Sequence, residues 1–232
     1  MNESNNPRFS IVPGDYEYLD NFNQAICNTK NLQLRPPNFA VDFDFSPDLE
    51  ELYRHVQKAL LQEERDPKNE TRPPAFNCIL YARSMCVSLS KYYGKPMMLT
   101  SGYLIGEGRK TFYEPLAELE ARLSTTTDSP INLHAWVILP DLTIVDVTLI
   151  PTIRAVRAED RDLTNDILIK NMREQRAEDE FCYQPVLVGS EYWDKASMRP
   201  HSMIKLVDSG PDYNGSTFQK WLLQLKRLFY KR

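Results

Sequence analysis

The sequence predicts an α+β fold in which helices pack on an antiparallel sheet. Two stretches with helical apolar spacing, 46–64 and 77–94, come first. Several strand-like runs then follow one another, an order that favours an antiparallel sheet over a strand–helix–strand repeat. Neither GxxxxGK[S/T] nor GxGxxG occurs, and "GYLIGEG" at 102–108 has the wrong spacing for a phosphate loop.

Residues 1–45 are rich in Asn, Pro and Asp, and read as an irregular, partly extended arm. A domain is expected over 46–216. Its first helix, "SPDLEELYRHVQKALLQEE", has Ser46 as the expected N-cap, Pro47 at the first helical position and acids in the first turn. His55 falls between its apolar positions and reads as a surface or half-buried histidine. "RDPKNETRPPAF" (65–76) is a breaker-rich loop. In the second helix Ile79, Ala82, Cys86, Leu89 and Tyr93 form the expected buried stripe, and Gly94 is a natural stop. "PMMLTSGYLIG" reads as a strand, 107–130 as a polar excursion with a short helix near 114–123, and 133–149 as a hairpin. The charged stretch 155–180 is expected to form one or two exposed helices. "YQPVLVG" and "HSMIKLV" read as further strands, and 217–232 as a terminal helix.

Composition narrows the function. The chain has 232 residues, is 42% hydrophobic and 11% aromatic, and carries a net charge of -4. That balance gives no bias toward nucleic acid or an anionic membrane. Its four cysteines show no CxxC spacing, which argues against a zinc site or a disulfide framework. Free thiols, with no apolar leader in "MNESNNPRFSIVPG" and no membrane-length apolar run, lead to the expectation of a cytoplasmic protein. No cofactor or metal is expected.

The hairpin carries the chemistry. Alternation puts His134, Trp136 and Ile138 on one face of its first strand, and Ile144, Asp146 and Thr148 on one face of its second. A short odd-numbered loop centred on Pro140 would set His134 opposite Asp146, where a carboxylate can orient an imidazole and stabilise its charged form. Cys78 is the candidate nucleophile. It follows Asn77, a preferred N-cap residue, so it should lie in the first turn of its helix, where free N–H groups favour an anion and can form an oxyanion hole. Asn77 could add a donor there, with an N-cap role the simpler account, and Trp136 could wall the site or pack in the core. Cys27, Cys86 and Cys182 read as core residues, and His201 as a loop or strand-edge residue.

With these pieces in order, the chain resembles the transglutaminase-like superfamily over roughly residues 74–150. The resembling residues are Cys78, Ala82, Gly94 and Gly102-Tyr103, then His134-Ala135-Trp136-Val137 and Asp146-Val147-Thr148. The likeness implies a papain-like core, a nucleophile helix packed on an antiparallel sheet, and a Cys78–His134–Asp146 triad. It implies acyl transfer from a protein or peptide amide through a thioester, as in a cysteine peptidase, amidase or deamidase. Transfer to an amine, or a non-catalytic interaction module, are the alternatives. The chain departs from the pattern at Phe76, where many members have Gly, and at Val147, where many have Pro. Asn77-Cys78-Ile79 replaces the Gln-Cys-Trp of the protein-crosslinking enzymes.

The last segment stands outside that likeness. Phe218, Trp221, Leu222, Leu225 and Phe229 fall at helical spacing, with Lys220, Lys226, Arg227, Lys231 and Arg232 and no acid among them. This basic amphipathic helix is expected to pack on the domain. Contact with a partner or a membrane surface is the alternative.

Overall fold

The computed structural model describes residues 17–65, 74, 77–106, 109–125, 131–157, 166–175 and 181–197. The expected strand at "HSMIKLV" and the expected helix over 217–232 lie outside them, as does His201. The fold is mixed α and β with an antiparallel sheet, as the element order predicts. Its elements are α1 (Glu17–Asn31), α2 (Leu49–Arg65), α3 (Cys78–Tyr93), β1 (Met98–Gly106), β2 (Arg109–Thr111), α4 (Leu116–Ser124), β3 (His134–Ile138), β4 (Thr143–Asp146), α5 (Leu149–Arg157), β5 (Leu168–Asn171), β6 (Cys182–Val188) and α6 (Glu191–Ser197).

All strand pairs are antiparallel, and β3, β4 and β5 follow in order from β1. Thr100 pairs with both Trp136 and Val188, and Leu104 with both Thr111 and Tyr183. A strand has two edges, so β6 lines one edge of β1 while β3 and then β2 share the other. The end of β2 therefore meets the start of β3, where His134 stands.

Alternation along these strands feeds two cores. On one face Met98, Leu104, Trp136, Ile138, Ile144 and Tyr183 pack against Tyr18, Phe22 and Ala25 of α1 and Leu149 and Ile153 of α5. On the other, Leu99, Ala135, Val137 and Val145 pack against Leu52, Val56 and Leu60 of α2 and Tyr81, Met85 and Leu89 of α3. A third cluster joins Leu119 of α4, Val186 and Leu187 of β6 and Tyr192 and Trp193 of α6, beside Ile79 and Leu133.

Five local expectations are corrected. The N-terminal arm contains α1. Tyr18, Phe22, Ala25 and Thr29 recur at helical spacing and are buried, so α1 is one layer of the domain and the boundary at 45 does not hold. The N-cap of α2 is Asp48 rather than Ser46, since Asp48 Oδ1 accepts from the N–H groups of Glu50 and Glu51. The buried stripe of α3 is centred on Tyr81, Ala82, Met85 and Leu89, leaving Ile79, Cys86 and Tyr93 half-buried. Within 155–180 the chain forms the strand β5 against β4, because Ile167 and Ile169 complete the α2–α3 core. Cys27, expected in the core, is exposed.

Candidate active site

Cys78 opens α3 and is half-buried, its Sγ facing the Leu133 carbonyl at 3.8 Å. His134 opens β3, and Asp146 closes β4. Both are about 1% exposed. The register Val137↔Val145 and Ile138↔Ile144 corrects the expected pairing. The hairpin loop is Pro140–Asp141–Leu142, still odd in length but centred on Asp141. Continued one step, the register sets Asp146 opposite Trp136, diagonal to His134. Both residues stay on the same face, and His134 Nε2 lies 2.5 Å from Asp146 Oδ2.

The loop's chemistry explains the shift. Asp141 Oδ1 accepts from the Thr143 N–H and Oδ2 from the Thr143 hydroxyl, Leu142 sits at φ 69°, and the Leu139 N–H donates to the Thr143 carbonyl. This is the three-residue hairpin loop that ends in a left-handed residue.

The Asp146 carboxylate is held from five directions. Oδ2 accepts from His134 Nε2 and from the Tyr183 hydroxyl at 2.9 Å. Oδ1 accepts from the N–H of Thr148 at 2.9 Å, the Thr148 hydroxyl at 3.1 Å and the N–H of Leu149 at 3.0 Å, at the start of α5. The Asp-x-Thr spacing thus lets one oxygen close the turn into a helix while the other meets the histidine. A carboxylate with so many donors stays ionised when buried.

A carboxylate only accepts, so Nε2 carries a proton, and Cys78 is a second hydrogen-bond partner of the same imidazole. Desolvation by itself would lower the proton affinity of His134, but the charge and hydrogen bond of Asp146, and those of Cys78, outweigh it and push His134 well above the ordinary imidazole range. Burial would likewise raise Asp146, yet His134 and the backbone N–H groups of Thr148 and Leu149 hold it below the ordinary carboxylate value. The signs give a stability prediction. The His134 contribution is complete below the ordinary imidazole value near 6.5 and is lost as pH rises toward about 10. The Asp146 contribution is complete above 3.8 and is lost as pH falls below it. Thermal melts should therefore show Tm falling between pH 6.5 and 10, and the fall should shrink in His134→Gln.

Aromatic rings frame the imidazole. Phe112 lies 5.0 Å from its centroid and Trp136 6.0 Å, both inclined at 29°. Trp136 is fully buried and donates from Nε1 to the Tyr18 hydroxyl at 2.9 Å, so it is a core residue that also borders the histidine. Asn77 holds the N-cap position of α3, but at φ −113° and ψ 36° its side chain makes no cap hydrogen bond. That corrects the expected capping role, because an N-cap side chain reaches the N2 or N3 N–H from extended backbone.

The other candidates lie elsewhere. Cys86 sits in mid-helix with its thiol pushed up to about 11 by burial. Cys182 is buried in β6. His55 stacks on Tyr92 at 4.0 Å and shares a hydrogen bond with Ser88. Sequence reasoning missed Tyr18, Phe112 and Tyr183. For Tyr18 the helical spacing of α1 was an available signal; for the others only the fold supplies the contact. Among the described residues no group of three or more His, Cys, Asp or Glu side chains could hold a metal ion, and no helix is long and apolar enough to cross a membrane. No family model, curated protein or solved structure matches the chain.

Proposed function

We propose that this chain is a thiol-dependent acyl-transfer enzyme of transglutaminase-like type, acting on a protein or peptide amide. The observation that supports the reading is the buried His134–Asp146 pair, with the Cys78 thiol at a helix N-terminus among the groups that favour the charged imidazole. A histidine oriented by a carboxylate and set beside a thiol is the arrangement nucleophilic catalysis requires.

In the proposed reaction Cys78 Sγ attacks the amide carbonyl carbon and its proton passes to His134 Nδ1. The tetrahedral oxyanion is met by first-turn N–H groups of α3, for which the Asn77 side chain does not compete. The C–N bond breaks, the leaving amine takes the proton from His134, and a thioester remains on Cys78. Water, deprotonated by His134, then attacks the thioester carbonyl, the C–S bond breaks to release the acid, and Cys78 Sγ takes the proton back from His134. An amine in place of water gives the transferase outcome. Asp146 keeps Nε2 protonated and stabilises the imidazolium throughout.

The competing reading is an inert binding module in which the pair is structural, and the near-complete burial of His134 and Asp146 is what favours it. A p-nitrophenyl ester separates the two. The enzyme reading expects a burst of nitrophenol and a mass gain of one acyl group on Cys78, absent in Cys78→Ala and slowed in His134→Ala. An added primary amine that accelerates turnover and appears in the product indicates transfer; turnover indifferent to amine indicates hydrolysis. A chain never acylated at Cys78 is the binding module.

A further inference from the structure

Three non-glycine residues among those described have positive φ: Gln33, Phe112 and Leu142. Gln33 ends the turn after α1, its N–H donating to the Lys30 carbonyl, and Leu142 closes the β3–β4 loop. Phe112, at φ 60°, follows the last residue of β2 and serves no hairpin turn. A bulky side chain in left-handed backbone is strained, and the surroundings must offset that strain. Here that conformation turns the ring inward. Phe112 is 9% exposed, whereas Lys110 is exposed and Tyr113 is 38% exposed. The ring lies against His134 because β2 ends where β3 begins.

The flanks of Phe112 are pinned as well. The Lys110 ammonium sits 4.2 Å from the Tyr113 ring centroid and 4.9 Å from that of Tyr103, and the two tyrosines pack edge to face. On the far side, Glu114 accepts from Arg122 and from the Asn132 N–H, and so ties the exit of the hairpin to the approach to β3.

We propose that Phe112 is a positioning residue for His134, its ring fixing the imidazole plane and favouring the imidazolium through its π face. This rests on the Cys78–His134 reading above. The groups that face His134 are Asp146 from β4, Cys78 from α3, Trp136 on its own strand and Phe112, with Tyr183 of β6 acting through Asp146. An aromatic face within about 6 Å of a cation stabilises it, most strongly where water is excluded. When the Cys78 proton moves to His134 Nδ1, the imidazolium forms under that face, so the ring favours the thiolate as well.

The test is the rate of Cys78 carboxamidomethylation by iodoacetamide against pH, measured on the full chain. In Phe112→Leu the acid limb should move to higher pH, with roughly a three- to thirtyfold loss at pH 6 and convergence with wild type at alkaline pH. Phe112→Trp should restore the wild-type limb. If Phe112→Leu does not fold, pentafluorophenylalanine at 112 keeps the size and inverts the ring's charge distribution, and should displace the limb the same way. A wild-type profile in Phe112→Leu, or in the fluorinated variant, reduces Phe112 to packing and overturns the proposal. If the profile of His134→Ala also coincides with wild type, it is the Cys78–His134 reading that fails.

Discussion

Replacing Asp146 with Ala is expected to destabilise the fold by about 3–5 kcal/mol, because removing one partner of a buried pair strands the other. His134 Nε2, the Tyr183 hydroxyl, and the N–H groups of Thr148 and Leu149 all lose their acceptor together. Asp146→Asn is the more informative change. Its amide oxygen can keep the Thr148 and Leu149 donors, but its NH₂ group then faces the protonated Nε2 and the tyrosine hydroxyl. The imidazole must change tautomer, and Nδ1 can no longer accept from Cys78. The variant should fold with a lowered Tm and lose acylation at Cys78 by roughly a hundredfold or more. Denaturant unfolding together with acylation rates checks both parts.

The second large effect is expected at Gly102, for steric rather than chemical reasons. A Cβ there would lie 2.0 Å from the Gln184 carbonyl oxygen and 2.9 Å from the Trp136 ring. The first obstacle is backbone, so β6 itself would have to move. This is where β6 bulges. Ser101 pairs with Leu187 and Gly102 with Pro185, leaving Val186 unpaired. Gly102 also pairs with His134 on the other edge, so the bulge, the tryptophan and the candidate base converge on one residue without a side chain. Gly102→Ala should cost roughly 3 kcal/mol or more, the upper range for overpacking, and should lower soluble yield and Tm together. A variant that melts with wild type would mean that β6 yields freely at its bulge.

What could be read from the sequence was local and periodic. The hairpin's alternation placed His134 and Asp146 on one face, and an even shift in register kept them there although the loop centre moved from Pro140 to Asp141. The Asp-x-Thr spacing was visible, but not that Thr148 and Leu149 would grip one carboxylate oxygen and leave the other to His134. The helix α1 was legible in the spacing of Tyr18, Phe22 and Ala25. Asparagine-rich surroundings masked it, since they resemble loop composition. Strand β5 was hidden because its apolar residues are too few among charges, and only pairing with β4 makes the segment extended. The contacts of Tyr183 and Phe112 with the site span 37 and 22 residues and depend on β6 lining one edge of β1 while β2 and β3 share the other, which no periodicity encodes.

Whether His134 activates Cys78 as a nucleophile is decided by limiting iodoacetamide at pH 6, with peptide mapping of all four cysteines. An ordinary thiol is almost wholly protonated at that pH and reacts slowly even when exposed. Cys27 is exposed and serves as the internal control. Cys78, though half-buried, should be labelled well ahead of Cys27, Cys86 and Cys182, and His134→Ala should remove the lead. Cys27 labelled first in the wild-type chain, with Cys78 unaffected by His134→Ala, would contradict that activation.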